Sequence, residues 1–199
     1  MKLKIYYNAI KYRVWYFFNK KKYKNLGAGS FIKSPLSIVC PWNIEIGEKV
    51  FIGYKSWLAA NSITGSKNCV LKFGDNCTIG NFNHIYATSK IVFEKSVLTA
   101  DKVYISDNIH CYDDINVPIQ DQKIIQKREV HIGEGTWIGE NVCIIGVNIG
   151  KNCVIGANSV VIKDVDDFSV VAGNPATLIK KYCFQAKKWK RVNPDGSFK

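Results

Sequence analysis

The stretch VHIGEGTWIGENVCIIGVNIGKNCVIGANSVVIKD, residues 130–164, decides the fold. A bulky aliphatic side chain returns every six positions, at Ile132, Ile138 and Ile144, then at Ile149, Ile155 and Val161. Two residues before each stands a smaller one: Val130, Thr136, Val142, Val147, Cys153 and Ser159. In extended chain, residues two apart share a side, so each unit offers one large and one small inward group and then turns. Glycine follows the bulky residue at 133, 139, 150 and 156, where the expectation is a tight turn with positive φ. A helix would bring steps of three and four instead. One step, from Ile144 to Ile149, is five residues and marks a bulge.

The same period runs upstream. Ile46-Gly47, Ile52-Gly53 and Leu58-Ala59 form one run; Phe73-Gly74, Ile79-Gly80 and Ile85 form the next. Phe93, Thr99 and Ile105 keep the step without glycine. A repeat of short strand plus turn, six residues long, is the sign of a parallel β-helix. Three units close one triangular coil, and about six or seven coils fit between residues 30 and 165. The fold class is therefore all-β, with appendages at both ends. Residues 1–28 read as a basic, aromatic helical segment, 29–172 as the β-helix, and 173–199 as a short, basic helical tail.

Charge sits at the ends. Residues 1–24 hold eight Lys/Arg and no acid, and residues 180–199 hold seven Lys/Arg and one acid. The remainder carries 13 basic and 15 acidic residues and is close to neutral. No nucleic-acid module is present, so no nucleic-acid partner is expected. Basic ends fit an anionic leaflet, and the N-terminal segment, with Trp15, Phe17 and Phe18, fits either a solenoid cap or a membrane surface. No apolar run is long enough to span a bilayer, and no secretory signal is visible. Seven cysteines without metal or framework spacing read as reduced thiols, hence a cytoplasmic protein, at most peripheral to the membrane.

The repeat stops after Ile105 and resumes at Val130, and the loop 106–129 leaves the solenoid there. Long loops on rigid scaffolds tend to carry function. This one opens with Asp107, His110, Tyr112, Asp113 and Asp114, of which His110 is suited to take a proton near neutral pH. The three histidines, at 84, 110 and 131, lack the close pair that a zinc hydratase on such a scaffold would need, so no metal is expected. His131 takes an outward position, facing solvent or an interface.

With these segments in view, the chain resembles the hexapeptide-repeat acyltransferases, whose parallel β-helix is left-handed, and within them the maltose, galactoside and polysaccharide O-acetyltransferases. Residues 130–142 are similar to that branch's segment after the catalytic loop; residues 153–164 with 171–175 are similar to its coenzyme A segment. The resemblance implies a homotrimer with sites between subunits, acetyl-coenzyme A (acetyl-CoA) as cosubstrate, and a sugar or glycan acceptor. It implies that His110 is the general base and that Asn81, first residue of an Asn-Phe-Asn motif, holds the acceptor hydroxyl. Tyr112 and Asp114 fit a polysaccharide-type acceptor loop. Trp137, Gly139 and Ala157 would line the pantetheine arm, and Lys163 would meet the nucleotide phosphates. Two departures stand out: Cys111 where the family often has Pro, and Ile162 where it has Thr. The group orienting His110 is left open among Asp113, Asp114 and Glu129. An amino-sugar N-acetyltransferase and a non-catalytic scaffold remain alternatives.

Overall fold

The computed structural model describes the backbone of residues 2–193 and 196–199, with side chains of the N-terminal helix from Ile10 onward. The side chains of Tyr6 and Tyr7 and the pair Pro194 and Asp195, parts of the expected terminal segments, lie outside the described residues.

One coil shows the plan. Lys90–Phe93, Leu98–Thr99 and Tyr104–Ser106 form its three sides. They pair in parallel with Val70–Phe73, Thr78–Ile79 and His84–Ala87 of the coil before, and with Val130–Ile132, Trp137–Ile138 and Cys143–Ile145 of the coil after. Repetition builds three parallel sheets, the first, second and third faces in the order the chain visits them. Six strands complete the third face. At the five-residue step the first face continues as isolated bridges from Ile132 to Ile149 to Val165.

The periodic residues fill the interior. Ile46, Phe73, Phe93 and Ile132 are fully buried in register on the first face, and the rings of Phe73 and Phe93 stack 4.9 Å apart. The small lane is buried too, and its polar members are satisfied between coils. Thr136 Oγ1 donates to the Gly150 carbonyl (2.8 Å) and accepts the Cys153 N–H (3.0 Å). Buried Asn83 donates to the Ala100 carbonyl (3.2 Å) and accepts the Val103 N–H (2.7 Å). Such pairing removes the cost of burying polar groups.

The glycines that mark the repeat have a different cause from the one expected. Left-handed φ falls not on them but two residues later, at Lys49, Lys55, Asn76, Phe82, Asn141, Asn152 and Asn158. The glycines are demanded by the next coil. A Cβ on Gly53 would lie 2.4 Å from the Gly80 carbonyl oxygen, and one on Gly80 would lie 2.3 Å from that of Ala100. Both conditions meet at Gly146 in the bulge, where φ is +58° and a Cβ would strike Lys127 of the returning loop.

Both ends differ from the sequence reading. The helix, Lys2–Asn19, stops well short of residue 28: Tyr23 is in the core, and Asn25–Leu26 is already a strand of the first face. The helix lies against the first coil, with Tyr12 and Trp15 on the Phe31 ring at 4.3 and 5.2 Å. The expected C-terminal helix is a β-hairpin. Ala176–Cys183 runs antiparallel to Ser169–Gly173 and returns as Lys188–Arg191. The last coil offers an open sheet edge, and this hairpin covers it. Thr177, Ile179 and Tyr182 favour extended chain, and Tyr182 meets Trp189 edge-on across the strands at 5.5 Å.

Candidate active site

The loop that interrupts the repeat is an arm with a locked root. Asp107, the first residue past the Tyr104–Ser106 strand, is fully buried. One carboxylate oxygen accepts the N–H groups of Ser89 (2.7 Å) and Lys90 (2.8 Å); the other accepts the Thr88 N–H (2.8 Å) and lies 2.9 Å from its hydroxyl. A charge can be buried when it is solvated this fully by donors. The Asp107 carbonyl in turn accepts from Gln126 Nε2 and the Lys127 N–H, each at 2.9 Å, so the outgoing and returning strands meet at one residue.

From this root, Asn108–His110 pairs antiparallel with Ile124–Gln126, with His110 opposite Ile124. Asn108, next to the root, is buried and its Nδ2 donates to the Tyr86 carbonyl (3.2 Å), whereas His110, farther out on the same strand, is exposed. The Cys111 N–H closes the ladder on the Lys123 carbonyl at 2.9 Å. Farther out, Gln122 Nε2 donates to the carbonyls of Asp114 and Val117, both at 2.8 Å, and holds the tip in shape. Tyr112 and Ile115 project from it, exposed. Asp114 accepts the Asn116 N–H at 2.9 Å, Asp113 approaches Cys111 Sγ at 3.4 Å, and Glu129 sits 3.5 Å from Lys90. Among the described residues, none of these three carboxylates touches His110.

The other candidates gather elsewhere. Trp137 is half exposed on the second face, between Leu98 and Val154. Gly139 and Ala157 stack at the corner joining the second and third faces, so close that a Cβ on Gly139 would lie 2.7 Å from the Ala157 nitrogen. Asn81 stands at that same corner, lower in the stack. There its Oδ1 accepts the Tyr54 N–H (2.9 Å) and its Nδ2 donates to the Asp101 carboxylate (3.0 Å). The hydrogen bonds from Asn81 hold the Asp101 carboxyl below the usual carboxylate range. Asn81 therefore has a bridging task across three coils. Lys163 is exposed past the third face, near the arm's root, where Arg128 grips Asp164 at 2.6 Å.

The candidates thus divide between the two edges of the third face. Trp137, Gly139, Ala157 and Asn81 lie on or beside the edge where the chain enters it; the His110 arm and Lys163 lie at the edge where the chain leaves. A strand crossing of four to five residues at roughly 3.3 Å each separates the edges by about 15 Å.

Sequence reading missed the role of Asp107, whose carboxylate is held mainly by backbone N–H groups, which have no residue-type signature. It also missed the outer surface of the third face, where the His84 ring stacks on Trp57 at 4.2 Å and Tyr104 meets it edge-on at 5.2 Å. Burial lowers the His84 pKa, and His84 Nε2 and Trp57 Nε1 are buried without a hydrogen-bond partner among the described residues. His131 is on the outer surface of the first face, as expected, and its Nε2 lies 2.9 Å from Glu94. That contact holds the Glu94 carboxyl below its usual range.

Residues 129–163 match the family model described as the hexapeptide repeat of succinyl-transferase. A protein of Mycobacterium tuberculosis named as a probable acetyltransferase is 43% identical over 138 residues, which are 69% of this chain and 44% of that protein. WbbJ of Escherichia coli, named as a lipopolysaccharide biosynthesis O-acetyl transferase, is 35% identical over 131 residues, 62% of this chain and 66% of WbbJ. The chain therefore spans between about half and two thirds of the length of these relatives. Among solved structures, AntD, an N-acyltransferase of Bacillus cereus in complex with dTDP and 3-hydroxybutyryl-CoA, aligns with a TM-score of 0.70 at 20% identity over 85% of this chain and 88% of AntD. A hexapeptide-repeat acetyltransferase of Vibrio cholerae, complexed with acetyl coenzyme A, aligns at 0.56 and 24% identity over 83% of this chain and 75% of that one. The two structural likenesses speak for the fold. Joined to the sequence relatives and to coils that repeat every six residues, they lead to one assignment: this chain belongs to the hexapeptide-repeat acyltransferase family.

Proposed function

We propose that the protein is an acetyl-CoA-dependent O-acetyltransferase that modifies a sugar hydroxyl in a bacterial-type surface polysaccharide or its lipid-linked precursor. The left-handed winding typical of the family belongs to the same reading. The observation that carries it is an exposed histidine on an arm rooted by a buried carboxylate, set apart from Trp137, Gly139 and Ala157 on the opposite edge of one face. That division fits a site completed by a neighbouring subunit, as in a homotrimer. The edge with Trp137, Gly139 and Ala157 would hold the pantetheine arm, with Lys163 of the facing edge near the phosphates. The other edge would bring His110 and the acceptor, with Tyr112 and Asp114 lining it. Asn81 is retained for the acceptor only if its amide leaves the Asp101 ladder.

In this reading His110 takes the proton from the acceptor hydroxyl as that oxygen attacks the thioester carbonyl. The C–S bond then breaks, and the imidazolium returns its proton to the departing thiolate. No acyl-enzyme forms. The name of WbbJ, at 35% identity, favours a hydroxyl acceptor over an amine. An acceptor screen comparing glycan hydroxyls with amino sugars tests the choice, with His110→Ala as control. Loss of about 10²- to 10⁴-fold in kcat is expected for the variant. Unchanged turnover would remove His110 from the chemistry, and transfer to amino sugars alone would make the protein an N-acetyltransferase.

A further inference from the structure

The N-terminal helix has two apolar faces, and only one is used. Tyr12, Trp15 and Tyr16 recur at helical spacing on the side that caps the first coil. Directly opposite, Ile10, Val14, Phe17 and Phe18 recur at the same spacing and are 63, 52, 78 and 71% exposed. A helix that served only as a cap would be polar on that outer side. Here the two phenylalanine rings meet edge-on at 5.7 Å and face outward together.

The flanks are cationic. Lys11, Arg13, Lys20, Lys21 and Lys22 are exposed, and none joins an ion pair among the described residues. Lys11 and Lys20 rest over aromatic rings of the capping layer, each at 5.7 Å. No acidic residue occurs in residues 1–24 to balance them. No helix of the described residues is long and apolar enough to cross a membrane. An apolar stripe bordered by unpaired cations matches the boundary between acyl chains and anionic headgroups.

We propose that this outer face docks the protein on an anionic lipid leaflet, with Phe17 and Phe18 entering the acyl boundary and Arg13 and Lys20–Lys22 meeting the phosphates. A nucleic acid would use the cations and leave the phenylalanines in water. The basic C-terminal hairpin is at the other end of the coil stack, so the leaflet that takes the helix does not take the hairpin. The proposal does not depend on the transfer chemistry.

The test is co-sedimentation of the full chain with phosphatidylglycerol-containing vesicles and with pure phosphatidylcholine vesicles. The chain is expected to bind the anionic vesicles, more weakly the neutral ones, and less as salt rises. Phe17→Ser with Phe18→Ser should lower partitioning at least about tenfold with an unchanged melting temperature. Lys20→Gln, Lys21→Gln and Lys22→Gln together should lower it and flatten its salt dependence. Lys187→Gln with Lys188→Gln, in the hairpin, should leave it unchanged. Failure of the intact chain to bind anionic vesicles overturns the proposal, as does equal binding by the phenylalanine variant. So does an equal loss in the hairpin variant, which would mean unspecific charge attraction. A change of oligomeric mass in the phenylalanine variant would assign the face to a second copy of the chain instead.

Discussion

The coil stack and the arm keep their backbones satisfied in opposite ways. In the stack, each strand pairs with the strand one turn away, and the same inward positions repeat, so no single residue holds the structure. In the arm, order converges on one carboxylate: Asp107 gathers the N–H groups of Thr88, Ser89 and Lys90, and its own carbonyl ties down the return at Gln126 and Lys127. The stack therefore spreads its stability, while the arm concentrates it at the root and leaves the side chains beyond it to face outward. Under the proposed function, such a division would hold His110 still at the edge of a rigid body.

The contrast can be broken from either side. Phe73→Ala opens a cavity in the fully buried first-face stack and should cost about 3–5 kcal/mol of global stability, read from urea unfolding. Asp107→Ala should act locally. It orphans three buried or half-buried N–H groups, each worth about 1–3 kcal/mol, so the arm should become sensitive to limited proteolysis between residues 108 and 127 while the unfolding midpoint of the coils moves little. If both transitions shift together, the arm and the stack are one unit. Gly53→Ala sharpens the reading of the repeat. Its Cβ would press on the Gly80 carbonyl, and a loss of about 1–3 kcal/mol is expected even though no positive φ is at stake.

The smallest effect concerns acid. The carboxyls of Asp101, Glu94 and Asp164 are held low by Asn81, His131 and Arg128 respectively. A carboxyl with a lower pKa in the folded state stabilises at neutral pH, and that contribution fades as pH falls through the ordinary carboxylate range and below. Asp164 is exposed and Asp101 and Glu94 are partly exposed, so solvent screening should keep the effect slight. His84 has the same sign, since burial favours its neutral form, and its contribution is lost as pH drops below the usual histidine value. A urea midpoint that falls gently from pH 7 toward pH 4, and less in Asn81→Ala, is the expected pattern. A midpoint that rises in acid would contradict it.

The stack was legible because a period of six is written into every coil, and because inward positions admit only apolar or internally bonded residues. The cause of the glycines was not, since the clash is with the neighbouring coil, distant in sequence, and a positive φ explains the same dipeptide equally well. His110 could be found at the break in the rhythm. Its root could not, because Asp107 binds backbone groups 17–19 residues earlier, which no residue type announces. The C-terminal hairpin was misread as helix because lysines interrupt the alternation of Thr177, Ile179 and Tyr182, and the open edge it covers exists only once the coils are stacked.

Calorimetric titration with acetyl-CoA of the intact chain, of Trp137→Ala and of His110→Ala tests most directly whether this edge of the β-helix is a donor site. The intact chain should bind, Trp137→Ala should bind about tenfold more weakly, and His110→Ala should bind within about twofold of the original, since the proposal assigns the histidine to the acceptor. No binding by the intact, folded protein, or equal binding by Trp137→Ala, would contradict the assignment of the donor to the edge formed by Trp137, Gly139 and Ala157.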